Sequence, residues 1–302
     1  MIMNYTALDS DNIEDVYNLF RRNKVVSLIP FESFRRGTIN DTNFDPKLTL
    51  MVESKDKQEI IAAFIAIIRT EISGKICYLK ACLVDKRSQR KGIGSQLLNE
   101  LISRAQMNGA KFISYGDSTP NYWQPGLDLR HTSLYFFLKK HKFRTLKMRQ
   151  NLTVNLERLE LTPKNQYNQY SFERINKNEF QNLFQFVKSN FPEGTWAEEV
   201  ALSFECDPPT SFVAKDLQNN IIGWASHSQL FPGSFGPTGV LQILRGKGIG
   251  TELLKWALWD MKKNGIREAT IMWVVGDTVK YYSKAVGAFI FPIFIPMRKK
   301  LS

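Results

Sequence analysis

Two hydrophobic periods alternate along the chain and predict alternating helices and strands. Apolar residues recur at helical spacing in residues 12–22, 95–108, 178–190 and 251–264. Short runs that are continuously apolar, or that alternate with polar residues, are typical of buried strands. Such runs lie at residues 48–53, 59–69, 112–115, 211–215, 221–228 and 269–275. Because both patterns occur in each half, the two halves are predicted to be mixed α/β units.

The second half of the chain repeats the first at an offset of 156 residues. The sequence KGIGSQLL at 91–98 recurs as KGIGTELL at 247–254, and the same offset aligns Val84 with Val240. A period of about one domain indicates a tandem duplication of a whole domain.

The repeat predicts two domains joined by a short linker. We assign residues 1–157 to the first domain and residues 170–302 to the second. The intervening segment is polar and contains Pro163, which is typical of a connection between domains.

Charge and cysteine content limit the function classes. The net charge of +12 indicates an anionic partner, for which nucleic acid, a membrane surface and a phosphorylated cofactor all qualify. The longest apolar run, Ile60 to Ile68, is far shorter than the ~20 residues of a membrane span, and no signal peptide is expected. Cys77, Cys82 and Cys206 lack metal-binding spacing and are odd in number, so we expect a cytoplasmic protein without a disulfide framework or metal site.

Each half contains a glycine loop between a predicted strand and a predicted helix. The loops read QRKGIG at 89–94 and RGKGIG at 245–250. Glycines allow the backbone to approach a phosphate closely, and amides at a helix start favour negative charge. The pattern is neither a Walker A motif nor a dinucleotide fingerprint, since it lacks Gly-Lys-Ser/Thr and a third, correctly spaced glycine.

Both loops resemble the acetyl-CoA-binding motif of the GNAT superfamily of N-acyltransferases. The resemblance includes the valine five residues before Gln89 or Arg245 and the Leu-Leu pair after the second glycine. It covers nearly the whole chain as two copies. It therefore implies an α/β (α+β) fold of two tandem domains, each a mixed sheet with helices on both faces.

The resemblance also implies where acetyl-CoA binds. Backbone amides of the two loops would hold the pyrophosphate, and the strand ends at Val84 and Val240 would separate and polarise the thioester carbonyl. The implied cofactor-binding residues of the second half are Val240, Arg245, Gly246, Lys247, Gly248, Ile249, Gly250 and Thr251. Those of the first half are Val84, Gln89, Arg90, Lys91, Gly92, Gly94 and Ser95.

The implied general acid is a tyrosine that protonates the leaving thiolate. Family members often place it four residues before a Gly-Phe pair, but Ser283 occupies that position relative to Gly287. Tyr281 and Tyr282 are the neighbouring hydroxyls, and we favour Tyr282. The first half has Leu138 at the corresponding position, so it is predicted to be weakly active, to be structural, or to contribute to a substrate pocket.

Other residues have competing interpretations. His227 and Asp277 lie at predicted strand ends, where either could act as a general base, although a structural role is commoner. Cys82 is interpreted as a small buried hydrophobe. The basic runs 139–142 and 298–300 are interpreted as solvated surfaces. The aromatic and proline-rich loop at 120–128 is interpreted as a packed surface loop, or as part of a substrate pocket or of the domain interface.

The sequence thus predicts an N-acetyltransferase that moves an acetyl group from acetyl-CoA directly to a primary amine. The acceptor is expected to be a small molecule or a peptide, with neither a nucleic acid nor a membrane as partner. Two alternatives remain: a non-catalytic acyl-CoA-binding or regulatory module, and a transferase dependent on aminoacyl-tRNA. The basic charge suits the latter, whereas the intact glycine loops argue against it.

Overall fold

The computed structural model describes residues 5–24, 29–54, 59–192 and 194–301. The chain divides into two compact units. The first comprises residues 1–149 and 294–302, and the second comprises residues 150–293.

The first unit is a six-stranded sheet with four helices. Its helices are α1 (Ile13–Arg22), α2 (Phe31–Arg36), α3 (Ile93–Met107) and α4 (Thr132–Lys140). The strands of this sheet are β1 (Leu50–Glu53), β2 (Ile60–Glu71), β3 (Gly74–Val84), β4 (Phe112–Tyr115) and β6 (Arg144–Thr145), with one more from the C-terminal part of the chain. A short β5 (Leu127–Asp128) lies outside this sheet and pairs with residues 294 and 295. The order of the sheet is β1-β2-β3-β4, then the C-terminal strand of the chain, then β6.

The second unit repeats this arrangement. Its strands are β7 (Arg149–Asn155), β8 (Gln166–Tyr167), β9 (Tyr170–Arg174), β10 (Ser211–Lys215), β11 (Ile221–His227), β12 (Ser234–Val240), β13 (Glu268–Val274) and β14 (Phe289–Ile295). Its helices are α5 (Phe180–Asn190), α6 (Trp196–Ser203), α7 (Ile249–Lys263) and α8 (Thr278–Val286). These strands follow one another in the order β14-β7-β13-β12-β11-β10-β9-β8.

The last strand of each half of the sequence belongs to the sheet that is formed mainly by the opposite half. Strand β15 (Met297–Lys300) lies between β4 and β6, where Met297 pairs with Tyr115 and Thr145. Strand β7 instead pairs antiparallel with β13 in the second unit. The predicted bounds, 1–157 and 170–302, do not anticipate this exchange. The run at 298–300, interpreted from sequence as a solvated surface, is a sheet strand in which Arg298 Nε donates to Ser114 Oγ at 3.3 Å.

Helices cover both faces of each sheet, which confirms the predicted fold class. In the second unit, Phe212 and Ala214 of β10 face the core that contains α7. Val213, on the opposite face, packs with Val187 of α5 and Val200 of α6. The first unit likewise has separate cores on its two faces.

The helices after the glycine loops begin two residues earlier than the hydrophobic period predicts. Gly92 and Gly248 adopt left-handed conformations, with φ of 83° and 84°, and serve as N-caps. The second glycine of each motif therefore lies inside the first helical turn. Asn108 and Asn264 close these helices as predicted, each followed by a left-handed glycine.

A buried carboxyl in α6 makes the second unit sensitive to pH. Glu199 is 6% exposed, accepts a hydrogen bond from Thr195 at 3.1 Å, and has its pKa raised to about 8 by burial. The folded state binds the Glu199 proton more tightly than the unfolded state does. Protonation of Glu199 therefore stabilises the fold fully below the unfolded pKa of 4.5, and this stabilisation is lost as the pH rises toward 8.

We therefore expect Glu199→Gln to gain stability relative to wild type as the pH rises from 5 to 8, by on the order of 3 kcal/mol. Urea denaturation across this range measures the difference. Glu198→Gln, on the exposed face of the same helix, is the matched control and is expected to show a much smaller trend, because the charge of Glu198 is the least of the causes that shift the pKa of Glu199. Parallel pH curves for wild type and Glu199→Gln would contradict the assignment.

Candidate active site

Two neighbouring strands separate in the middle of the second unit. Strand β12 pairs in parallel with β13 only at Ser234–Thr270 and Phe235–Ile271. It then continues to Val240, still paired to Gly223 of β11. The result is an opening between β12 and β13 on the side of the glycine loop.

The first unit has the same opening. Strand β3 pairs with β4 as far as Leu79–Tyr115, and the amide of Gly116 donates to the carbonyl of Leu79 at 3.1 Å. Strand β3 continues to Val84, paired to Ala62 of β2. Both sheets therefore have the separated strands that the family resemblance implies.

The first motif residue holds the loop to the strand that precedes it. Arg245 Nε donates to the carbonyl oxygen of Val240 at 3.3 Å, and Gln89 Nε2 donates to that of Val84 at 2.8 Å. This contact explains the five-residue spacing between the valine and the Arg or Gln. Arginine and glutamine can both make this contact, because each has an N–H donor on a long side chain.

The two loops differ in backbone strain. The residue after Arg245 is Gly246, with φ of 79°, whereas the residue after Gln89 is Arg90, with φ of 64°. A left-handed conformation is cheap for glycine and costs a residue with a β-carbon about 1–2 kcal/mol. The second loop is thus relaxed where the first is strained.

The start of α7 presents free amides at the loop. The amides of Thr251 and Glu252 both donate to the carbonyl of Gly248, at 3.0 and 3.1 Å. The amides of Ile249 and Gly250 precede these bonds and lie at the open end of the helix. With the exposed Lys247, they form a positive end suited to a phosphate group.

The basic side chains of the first loop are only partly available. Arg87 is held by Asp85 at 3.1 Å and by Glu59 at 3.3 Å. Arg90 and Lys91 are exposed on the loop itself.

Tyr281 and Tyr282 lie in different environments. Tyr281 lies close to the Thr251 side chain, and its Oη lies 3.6 Å from the position of a β-carbon built on Gly250. Burial raises the pKa of Tyr281, so the hydroxyl keeps its proton at neutral pH. Tyr282 is 7% exposed and packs edge-on against Phe235 in the core, at 6.0 Å between ring centroids. The geometry therefore favours Tyr281 as the hydroxyl beside the glycine loop.

The first unit has a phenyl ring where the second has Tyr281. A β-carbon on Gly94 would lie 3.5 Å from the ring of Phe137, and Leu138, the residue compared in the sequence, is fully buried. Near this ring, Ser95 Oγ and His141 Nε2 are 3.0 Å apart. Sequence reasoning missed His141 because it lies within a lysine run that was interpreted as a solvated surface.

The other side of β12 in the second unit is lined by aromatic rings. A β-carbon on Gly239 would lie 2.6 Å from Trp224 and 2.8 Å from Phe191. Trp196 packs against both rings at 6.0 Å. Any group that reaches the strand opening from this face meets an apolar, aromatic wall.

The remaining sequence candidates are a buried, ion-paired histidine, an exposed aspartate and a buried cysteine. His227 is 2% exposed and pairs with Asp260 at 3.1 Å, and burial lowers its pKa. His227 pairs with Phe235, at the end of β12 that is farther from Val240. Asp277 is exposed at the start of α8, and Cys82 is buried as predicted.

The loop at 120–128 contributes to the core of the first unit. Trp123 stacks on Phe34 at 5.0 Å and is 8% exposed. It approaches Gly37 so closely that a β-carbon there would lie 2.4 Å from Nε1. This supports the packing interpretation of the loop.

No helix in the part of the chain that the structure describes is long and apolar enough to cross a membrane. Within the same ranges, no group of three or more His, Cys, Asp or Glu side chains is arranged to hold a metal ion.

Comparison with known proteins agrees with this geometry. Several solved structures are similar over almost the whole chain, among them the three that follow, though at sequence identities that show only the fold. The glucosamine N-acetyltransferase region of a fungal multi-domain GH3 β-N-acetylglucosaminidase matches 99% of this chain with a TM-score of 0.76 and 20% identity; the chain spans only 38% of that protein. A GCN5-related N-acetyltransferase from Sphaerobacter thermophilus matches 99% of this chain and 96% of its own, with a TM-score of 0.71 and 16% identity. A tandem GNAT protein from the clavulanic acid biosynthesis pathway matches 100% and 99%, with a TM-score of 0.69 and 14% identity.

Family membership rests on the sequence itself. No curated protein sequence matches the chain significantly. The model of the acetyltransferase (GNAT) family, however, matches residues 13–122 and again residues 177–288, which together exceed half of the chain. Each match contains one glycine loop and its separated strands. The chain therefore belongs to the acetyltransferase (GNAT) family, as a member with two such domains.

Proposed function

We propose that the second unit transfers an acetyl group from acetyl-CoA directly to a primary amine of a small molecule or peptide. The observation that carries this proposal is the position of Tyr281. Its protonated hydroxyl is held beside the first turn of α7, next to a relaxed glycine loop and the opening between β12 and β13.

The residues of the second loop fit the pyrophosphate of CoA. A β-carbon on Gly246 would meet nothing within 4 Å, so a phosphate can approach the backbone there. The amides of Ile249 and Gly250, together with Lys247, would bind its negative charge. Acetyl-CoA supplies an acyl group activated as a thioester.

The chain's own groups then assist the transfer. The unpaired edge of β12 near Val240 would place a backbone amide against the thioester carbonyl oxygen and stabilise its developing charge. As the amine attacks the carbonyl carbon, the new C–N bond replaces the C–S bond. Tyr281 donates its proton to the departing thiolate, the amine loses a proton to solvent, and Tyr281 regains its proton from solvent.

The first unit is proposed to bind an acyl-CoA without transferring the acyl group. Its strand opening and loop amides match those of the second unit, but Phe137 stands where Tyr281 provides a hydroxyl. The strained Arg90 also predicts weaker binding at this loop.

Calorimetric titration with acetyl-CoA tests the proposal on wild type, Gly248→Trp and Gly92→Trp. We expect wild type to bind and Gly248→Trp to lose the tighter site, because an indole at this N-cap would displace Tyr167 and crowd the loop amides proposed to hold the pyrophosphate. Gly92→Trp is the matched control at the equivalent position of the other loop and is expected to retain that site. Absence of binding by wild type, or loss of the tighter site only in Gly92→Trp, would contradict the assignment.

A further inference from the structure

The segment between β7 and β9, predicted from sequence as a plain linker, is anchored along α7. Lys262 Nζ donates to the carbonyl of Leu159 at 2.7 Å, and Trp256 Nε1 donates to that of Lys164 at 3.0 Å. The amide of Lys164 donates to Glu252 Oε2 at 3.3 Å. These contacts move from the last turn of α7 to its first, so the segment runs back toward the glycine loop.

The segment ends with an aromatic ring on that loop. A β-carbon on Gly248 would lie 2.9 Å from Tyr167 Cε1 and 3.2 Å from its hydroxyl oxygen. Strand β8 fixes this ring, because Tyr167 pairs with Tyr170 of β9. The exposed Lys164 places Nζ 5.6 Å from the centroid of the Tyr167 ring. An aromatic face and an ammonium group therefore lie together beside the amides of Ile249 and Gly250.

The first loop lacks this feature. Among the residues described, a β-carbon on Gly92 would meet only Gln96, at 3.7 Å. The two loops share their backbone conformation at this N-cap, with φ of 83° and 84°. The ring and the ammonium are thus an addition to the second loop and are not required to form it.

We infer that Tyr167 and Lys164 form a subsite for the 3′-phosphoadenosine part of CoA. This inference rests on the proposed function, because it assumes that the second loop holds the pyrophosphate. In CoA the adenosine is joined directly to the pyrophosphate, so its base and 3′-phosphate must lie within one nucleotide of the loop. The Tyr167 ring offers a stacking surface for adenine, and Lys164 offers a charge partner for the 3′-phosphate.

The two residues are expected to act differently. Stacking on Tyr167 is independent of the 3′-phosphate, so it strengthens the binding of CoA and dephospho-CoA alike. Lys164 pairs only with the phosphate, so it strengthens the binding of CoA alone. Replacing Lys164 leaves the segment anchored, because Trp256 and Glu252 bind its backbone and not its side chain.

The test is calorimetric titration of the full chain with CoA and with dephospho-CoA at low salt. We expect wild type to prefer CoA by about tenfold, and Lys164→Gln to reduce that preference to less than threefold by weakening CoA only. Tyr167→Leu is expected to weaken both ligands by at least fivefold and to leave their ratio unchanged. Lys86→Gln, an exposed lysine beside the first loop, is the matched control and is expected to behave as wild type at the tighter site.

An unchanged CoA preference in Lys164→Gln would overturn the inference. So would tighter binding by Tyr167→Leu, which would mean that the ring obstructs the loop. Suppose that wild type binds CoA and Gly248→Trp loses the tighter site, but Lys164→Gln and Tyr167→Leu lack their expected effects. Only the subsite is then refuted. If wild type binds neither ligand, the proposed function fails and the subsite with it.

Discussion

Replacing Tyr281 by phenylalanine is expected to lower kcat by about a hundredfold or more, while the affinity for acetyl-CoA changes less than threefold. The change removes only the hydroxyl that we propose as proton donor to the thiolate. The ring remains over Gly250, so the shape of the loop is retained. Steady-state release of free thiol, with an acceptor identified by screening amines, measures kcat and KM separately.

Tyr282→Phe is the matched control. Its hydroxyl is removed from a side chain that packs in the core, and we expect kcat to change less than threefold. If Tyr282→Phe lost the rate while Tyr281→Phe kept it, the tyrosine favoured from the sequence would be the donor after all. Wild-type activity in both variants would exclude Tyr281 and Tyr282 as the proton donor.

Truncation of the chain after Ile293 is expected to unfold the first unit and leave the second largely intact. The deletion removes β15, whose Met297 is fully buried between β4 and β6, together with Leu301, which is 7% exposed. Loss of one such buried side chain costs about 2–5 kcal/mol, and the backbone hydrogen bonds to β4 are lost in addition. This sum is comparable with the whole stability of a domain.

Amide hydrogen exchange distinguishes the units in the truncated chain. We expect β3 to lose its protection while β11 keeps it, so the second unit serves as an internal control. Retained protection throughout β3 would show that the first unit folds without the C-terminal strand.

The sequence predicts well those features that depend on local conformation. The glycine loops, the helices that follow them and the Asn-Gly ends are confirmed because each is determined by a few neighbouring residues, such as Gly248 with its positive φ. The fold class is confirmed for a similar reason, since hydrophobic period and order of elements both follow from the chain itself.

Features that depend on partners far along the chain were not predictable. The sequence MRKK at 297–300 has too few apolar residues to indicate a strand, and only its pairing with β4 makes it one. The spacing before Gly287 does not decide whether Tyr281 or Tyr282 is the candidate proton donor, because the packing of α8 determines which ring reaches Thr251. The anchoring of Tyr167 likewise depends on contacts with Glu252 and Trp256, nearly ninety residues away.

The exchanged strand also affects the order in which the protein can be made. Residues 112–115 are synthesised well before their partner at 297–300. Until that partner is made, the edge of β4 carries unpaired backbone groups that can pair wrongly with other strands. Removing either half of this duplicated chain would therefore leave the other half with an unpaired strand edge, so the two copies depend on each other to complete their sheets.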